Sequence, residues 1–431
     1  MKNNNIHGKG IIFYKNNNIK YDGDFINGKF EGNGKFIYEN GNYYIGQWLN
    51  GKRHGKGKVY DKNNKIKYDG EFANNQYEGK GTKYNENGEY FIGQFLNGLL
   101  NGKGNEFYNN GTIKYEGDFV NDRKEGYGKY IYENGNYYIG QWLNDKRHGK
   151  GKVFYANNNI KYEGDFVNDK YEGNGKYYYK NGDFYIGKWK NNNKDGKGIE
   201  FYNNCTIKYE GDFVNDKKEG FGKYIYENGN YYIGKWLNDK RHGKGKVFYA
   251  NNNIKYEGDF VNDKYEGNGK YYYENGDFYI GKWKNNKKDG KGTEFYNNGN
   301  IMYDGDFVND KKEGYGKFMN ENGEYYIGSW KNDYKHGNGK EYYENGKIMY
   351  EGNFFNDKRE GNGKYFYENG EFYIGQWMND VENGNGIYYY SNGNIKYEGS
   401  FVNGQFEGIG KYFDEDGNCY IGQFINGNIS N

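Results

Sequence analysis

Proline is missing from this chain, and cysteine and serine nearly so: the 431 residues include no Pro, two Cys (Cys205, Cys419) and four Ser (Ser329, Ser391, Ser400, Ser430). Two cysteines so far apart exclude the dense disulfide framework of a small secreted domain. None of the serines stands in a nucleophile-elbow context, so serine hydrolysis has no residue to rest on. Long apolar runs are also lacking. Hydrophobic residues make up 34% of the chain and the mean hydropathy is −1.28, so no segment reads as a bilayer-spanning helix. The opening Met1-Lys2-Asn3-Asn4-Asn5-Ile6-His7 has no apolar core of a secretory leader. Charge of one sign is scarce too: 61 basic residues face 59 acidic ones, a net +2, so no overall field draws nucleic acid or an anionic surface. A cytoplasmic protein is the expectation.

What the chain has instead is glycine and aromatic rings, with 72 Gly, 55 Tyr, 29 Phe and 7 Trp. Disordered chains are poor in aromatics, so low hydrophobicity here does not mean disorder. The rings fall in a pattern, Tyr-x-Gly-x-Phe/Trp, which occurs 18 times from Tyr21 to Tyr420, once with Phe91 in place of the Tyr, with steps of 23 and 24 residues in strict alternation. The period is therefore a pair of units, 47 residues long, and a fixed period of that size means a repeat architecture. The block starting at Tyr115 is nearly repeated from Tyr209, 94 residues on, as a duplicated four-unit block would be.

Each unit reads as two short strands. In Tyr162-Glu163-Gly164-Asp165-Phe166 alternation puts Tyr162, Gly164 and Phe166 on one face and the two acids on the other. The glycine leaves a gap over which a neighbouring ring can lie. A polar turn, Val167 to Glu172, leads to the strand beginning Gly173-Asn174-Gly175, and Lys180-Asn181-Gly182-Asp183 reverses the chain again. Odd units carry an acid after the Tyr and end on Phe. Even units carry Ile and mostly Trp, which places every Trp (Trp48, Trp142, Trp189, Trp236, Trp283, Trp330, Trp377) at one position, read as an aromatic packing stripe. The fold expected is all-β: an elongated antiparallel meander of about 36 short strands, forming 18 tandem hairpin repeats in a twisted ribbon. Its organisation is a half repeat at 1–20, tandem repeats at 21–419, and a half repeat with a tail at 420–431.

The stretch Tyr44 to Gly57, which runs Tyr-x-Gly-x-Trp, a turn, then His-Gly-x-Gly, resembles the MORN repeat, the membrane occupation and recognition nexus. The resemblance covers essentially the whole chain. It implies successive β-hairpins and, for an array without another domain, a scaffold or assembly role at membranes, cytoskeletal structures or cilia. Self-association and phosphoinositide binding occur in some relatives. Odd units depart from the pattern, with Glu in the place of His (Glu172) and Phe in that of Trp, which weakens the lipid reading.

Five histidines precede Gly-x-Gly strands; His54, His148, His242 and His336 are 94 residues apart. At strand spacing that is about 40 Å, too far for a shared metal, and a structural place is expected for them. Beside them Arg53, Arg147, Arg241 and Lys335 make basic turns that offer contacts to anionic headgroups or partners, against the alternative of solvated turns balanced by Glu125, Glu172 and Glu219. Gly-Lys-Gly runs such as Gly149-Lys150-Gly151 lack the context of a phosphate loop. The rings are expected to pack on one another rather than on nucleic-acid bases. Every carboxylate or His has near-copies along the array, so no catalytic constellation, cofactor or metal site is expected.

The sequence thus points to a noncatalytic scaffold or assembly protein for protein–protein interactions, cytoplasmic and peripheral to a membrane–cytoskeleton junction. The alternative is a peripheral phospholipid-binding module. The terminal half repeats, Gly8 to Tyr14 and Tyr420 to Ile425, are complementary strands and suggest self-association.

Overall fold

Alternating strand patterns and turn residues every dozen positions leave little room for helix, and the computed structural model has none among the residues it describes, 6–430. The portions of the expected terminal half repeats on residues 1–5 and 431 lie outside the described residues. The fold is all-β, with 37 antiparallel strands of open sheet, not closed into a barrel, among the described residues. The count exceeds the expected one by a two-residue strand, Asn428–Ile429, paired with Phe424 and Ile425. The chain divides into two units, Met1–Lys217 and Lys218–Asn431. Within each, strands pair with their neighbours in sequence, as in Tyr137–Leu143 with Lys146–Phe154 in the first unit and Tyr231–Leu237 with Lys240–Phe248 in the second.

Two kinds of reversal alternate, and their chemistry differs from the sequence expectation. The supposed six-residue polar turns close in two residues. Asn144 and Asp145 have φ of 50° and 65°, and Asn168 and Asp169 have 48° and 68°, the left-handed pair of a type I′ hairpin, which Asn and Asp tolerate. The following basic residues therefore lie in strands, Arg147 in Lys146–Phe154 and Arg241 in Lys240–Phe248. Asn50-Gly51, with φ of 52° and 81°, makes such a tight reversal too, whereas Asn181-Gly182 sits at the other, longer kind. There Tyr179 N–H donates to the Asp183 carbonyl at 2.9 Å, and only Gly182 has positive φ, 91°.

The core lies where the tyrosines fold back over glycine. Gly128, Gly140, Gly151, Gly164, Gly175 and Gly187 are paired each with the next across six strands, a stripe without side chains. A methyl on Gly140 would stand 2.4 Å from the Tyr138 hydroxyl, and one on Gly151 would stand 2.4 Å from its ring. One ring thus covers two glycines on adjacent strands. Its hydroxyl donates to the Gln141 carbonyl at 2.9 Å, so the buried phenol is satisfied. Trp142 meets the same ring edge-on at 5.3 Å, and Phe166 does so at 5.0 Å. The same contacts recur in the second unit around Tyr232, with Trp236 at 5.3 Å and Phe260 at 5.1 Å.

Candidate functional site

All seven tryptophans are buried on this ring-covered face, and each indole N–H donates to a glycine carbonyl, Trp142 to Gly128 and Trp283 to Gly269 both at 3.3 Å. They are packing groups whose one polar atom is spent on the neighbouring strand.

The basic residues beside them turn inward. Arg147 Nε lies 3.1 Å from Asp169 Oδ1, its Nη2 donates to the Asp169 carbonyl at 2.6 Å, and its guanidinium rests 5.2 Å from the Phe166 ring. Arg241 repeats this with Asp263 and Phe260. Arg53 donates to the Asn75 carbonyl and lies 5.2 Å from Phe72. Lys335 pairs with Glu341 at 2.6 Å and sits over Tyr326. Of the histidines, His54 is exposed, while His148, His242 and His336 are half-buried, each with a buried Nδ1 that has no hydrogen-bond partner among the described residues.

The odd-unit acids also have a use that composition hid. Glu125 Oε2 accepts the Asn144 N–H at 2.9 Å, Glu172 the Asn191 N–H at 3.0 Å, and Glu219 the Asn238 N–H at 3.0 Å. Each carboxylate anchors the next tight turn, so these acids are structural acceptors as well as counter-charges.

A buried charge pattern runs along the same face. Position 59 and its equivalents at the 47-residue pitch read Val59, Glu106, Val153, Glu200, Val247, Glu294. Where Val stands, Arg53, Arg147 or Arg241 lies six residues earlier. Opposite Glu200 and Glu294 the residue is Lys194 or Lys288, at 2.6 Å and 2.5 Å. Burial pulls the Lys194 ammonium down, but Glu200 outweighs it and raises the pKa. Near Glu341 burial pushes the carboxyl up, yet Lys335 and Arg359 hold it below the usual carboxylate range. Glu106 has no such lysine in its own strand, where Leu100 stands; Lys114 and Lys124 reach it at 3.0 Å and 2.7 Å.

The other face differs from the acidic surface that strand alternation predicts. Rings pair there too, Tyr137 with Phe154 and Phe184 with Phe201, both stacked at 4.5 Å, and lysines lie on them, such as Lys129 at 4.7 Å from Tyr137. Between the side-chain rows the bare back of the glycine stripe floors a groove in each unit. The first, about 730 Å³, is lined by Tyr127, Ile139, Lys152, Glu163, Lys176 and Ile186 among others; the second, about 760 Å³, has the equivalent residues Phe221, Ile233, Lys246, Glu257, Lys270 and Ile280. Tyr127 and Phe221 are 60% and 61% exposed, in contrast to the fully buried Tyr138. The strand Cys419–Ile425 pairs along its length with Gln405–Phe413; on its other side Phe424 and Ile425 pair with Ile429 and Asn428, and the Gln423 carbonyl accepts the Ser430 N–H at 2.7 Å, while Tyr420 is half exposed. Cys205 and Cys419 are free and exposed.

A meander whose rings close over in-register glycines, repeated at one pitch, defines a β-hairpin repeat protein. The sequence profile of the MORN repeat matches 18 segments from residues 1–19 and 21–43 through 373–395 and 397–419, and the chain belongs to the MORN repeat family. The profile counts 1–19 as a repeat and stops before 420–431. Among solved structures, a streptogramin B lyase is similar at 14% identity over 68% of this chain and 88% of its own. A protein of unknown function from Bacteroides caccae is similar at 9% over 58% and 89%, and the computationally designed Ika8 protein at 12% over 80% and 92%. All three have a TM-score of 0.13, so none bears on fold or function here.

Proposed function

We propose that this MORN repeat protein is a noncatalytic scaffold that holds protein partners on its repeated sheet surface, in the cytoplasm at a membrane–cytoskeleton junction. The observation that carries this reading is the pair of grooves with equivalent linings, each beside a large ring left in solvent, Tyr127 in one unit and Phe221 in the other. Exposed apolar groups gathered in a recess favour partner binding over bulk solvation. Phospholipid binding through the basic residues has less support: Arg147 and Arg241 spend their charge on Asp169 and Asp263 and on ring faces.

Proximity cross-linking of the tagged protein in cells, with imaging of its position, tests the reading. A reproducible set of protein neighbours is expected. Sedimentation of the purified chain with phosphoinositide vesicles, together with no protein neighbours, would contradict it.

A further inference from the structure

The two grooves carry a charge asymmetry that narrows what fits them. In the first unit Lys152 pairs with Glu163 at 2.9 Å and Lys150 with Asp165 at 2.5 Å. Lys176 pairs with no carboxylate among the described residues; it lies on rings alone, 4.7 Å from Tyr178 and 4.3 Å from Phe184. The second unit repeats this, with Lys246 on Glu257 at 2.9 Å, Lys244 on Asp259 at 2.7 Å, and Lys270 on the rings of Tyr272 and Phe278. Each groove therefore has one lysine left over. Apolar side chains share each lining, Tyr127, Ile139 and Ile186 in one and Phe221, Ile233 and Ile280 in the other.

Backbone groups of the floor are already paired in the sheet ladder, so an occupant is held by side chains rather than by an added strand. The first groove crosses six strands, from Arg123–Ile131 to Phe184–Lys190, about 24 Å at the usual strand spacing. At about 3.3 Å per residue, that length takes about seven residues of extended chain. Resting on the scaffold reading, we propose that each groove binds an extended peptide segment of a partner protein, with one carboxylate near the end that meets Lys176 or Lys270 and apolar side chains along the rest. A basic segment meets an uncompensated lysine and is rejected.

The probe is a fluorescein-labelled heptapeptide, Ser-Leu-Phe-Leu-Phe-Glu-Ser, compared with the same peptide carrying lysine in place of the glutamate. Because Tyr315, 62% exposed, and Lys364, on the rings of Phe366 and Phe372, repeat the arrangement, anisotropy titrations use the full chain, a Tyr127→Ser/Phe221→Ser/Tyr315→Ser variant and a Lys176→Gln/Lys270→Gln/Lys364→Gln variant, each checked for wild-type melting. The expected result is saturable binding of the glutamate peptide. Affinity falls about tenfold or more in the ring variant, and the lysine variant loses its preference for glutamate over lysine. Absence of binding, equal affinity of wild type for the two peptides, or full affinity in the ring variant overturns the proposal. So does pelleting with phosphatidylserine vesicles that depends on Tyr127 and Phe221 in the absence of peptide binding, which assigns the face to a membrane. If the ring variant keeps every cross-linked protein neighbour of the wild type, the groove is excluded while the scaffold reading stands.

Discussion

Lys194 Nζ lies 2.6 Å from Glu200 Oε1 at a place where, 47 residues earlier, Arg147 and Val153 stand with no ion pair between them. These are two solutions to one problem, a cation sitting on the rings of the ring-covered face. Lysine is satisfied from within by the glutamate, while arginine reaches outward to Asp169 in the next turn. The two residues of each solution belong together.

That coupling gives a double-mutant test. Both partners of the lysine pair are largely buried, with side chains 11% exposed. Glu200→Val alone strands the ammonium and is expected to cost about 3 kcal/mol. Adding Lys194→Arg rebuilds the other solution, because Asp216 already accepts the Lys194 N–H at 2.8 Å, as Asp169 accepts that of Arg147. The double variant is expected to recover to within about 1 kcal/mol of wild type. Urea midpoints, together with amide exchange in Asn193–Phe201, measure both.

The turn-anchoring acids predict a smaller, local effect. Glu172→Ala removes the acceptor of the Asn191 N–H, at 3.0 Å, from a partly solvated site. A loss of about 1 kcal/mol is expected, read as roughly fivefold faster exchange of the Asn191 amide, with the distant Asn285 amide on Glu266 unchanged.

Alkaline pH acts on the buried phenols. Burial pushes Tyr21 up to about 12, with Asp24 and Asp22 adding to it, and burial pushes Tyr171 up to about 12 against the pull of Arg147. In the unfolded chain these groups ionise near 10, so their contribution is complete below about pH 10 and is lost as pH rises toward 12. Absorbance at the tyrosinate band from Tyr21 and Tyr171 is expected to rise together with the loss of circular dichroism, as the buried set ionises with unfolding.

The sequence made the repeat, the strand pairs and the common position of the tryptophans legible, because period-two alternation and the 47-residue pitch are both visible in one chain. It hid the turn geometry. Asn-Asp and Asn-Gly both read as turns, and only the backbone shows that Asn168 and Asp169 close the tight reversal while Asn181-Gly182 sits in the longer one. The second ring-bearing face was hidden because Tyr137 and Phe154 belong to different strands and meet only across the sheet. The grooves could not be read at all, since they are made by the uncovered backs of glycines. The alternation of Val153 with Glu200 was visible at the 47-residue pitch, and comparing that column with the residue six places earlier would have found it.

The fold depends most on tyrosine rings occupying the space that glycine leaves. Gly140 and Gly422 hold the same place in the motif, yet a methyl at Gly140 meets the Tyr138 hydroxyl at 2.4 Å, while one at Gly422 has nothing within 4 Å. Hydrogen exchange on the two alanine variants, followed strand by strand, separates them. Gly140→Ala should cost about 3 kcal/mol and speed exchange in Tyr137–Leu143 about a hundredfold, with Gly422→Ala within about 0.5 kcal/mol of wild type. Equal protection in the two variants would contradict it.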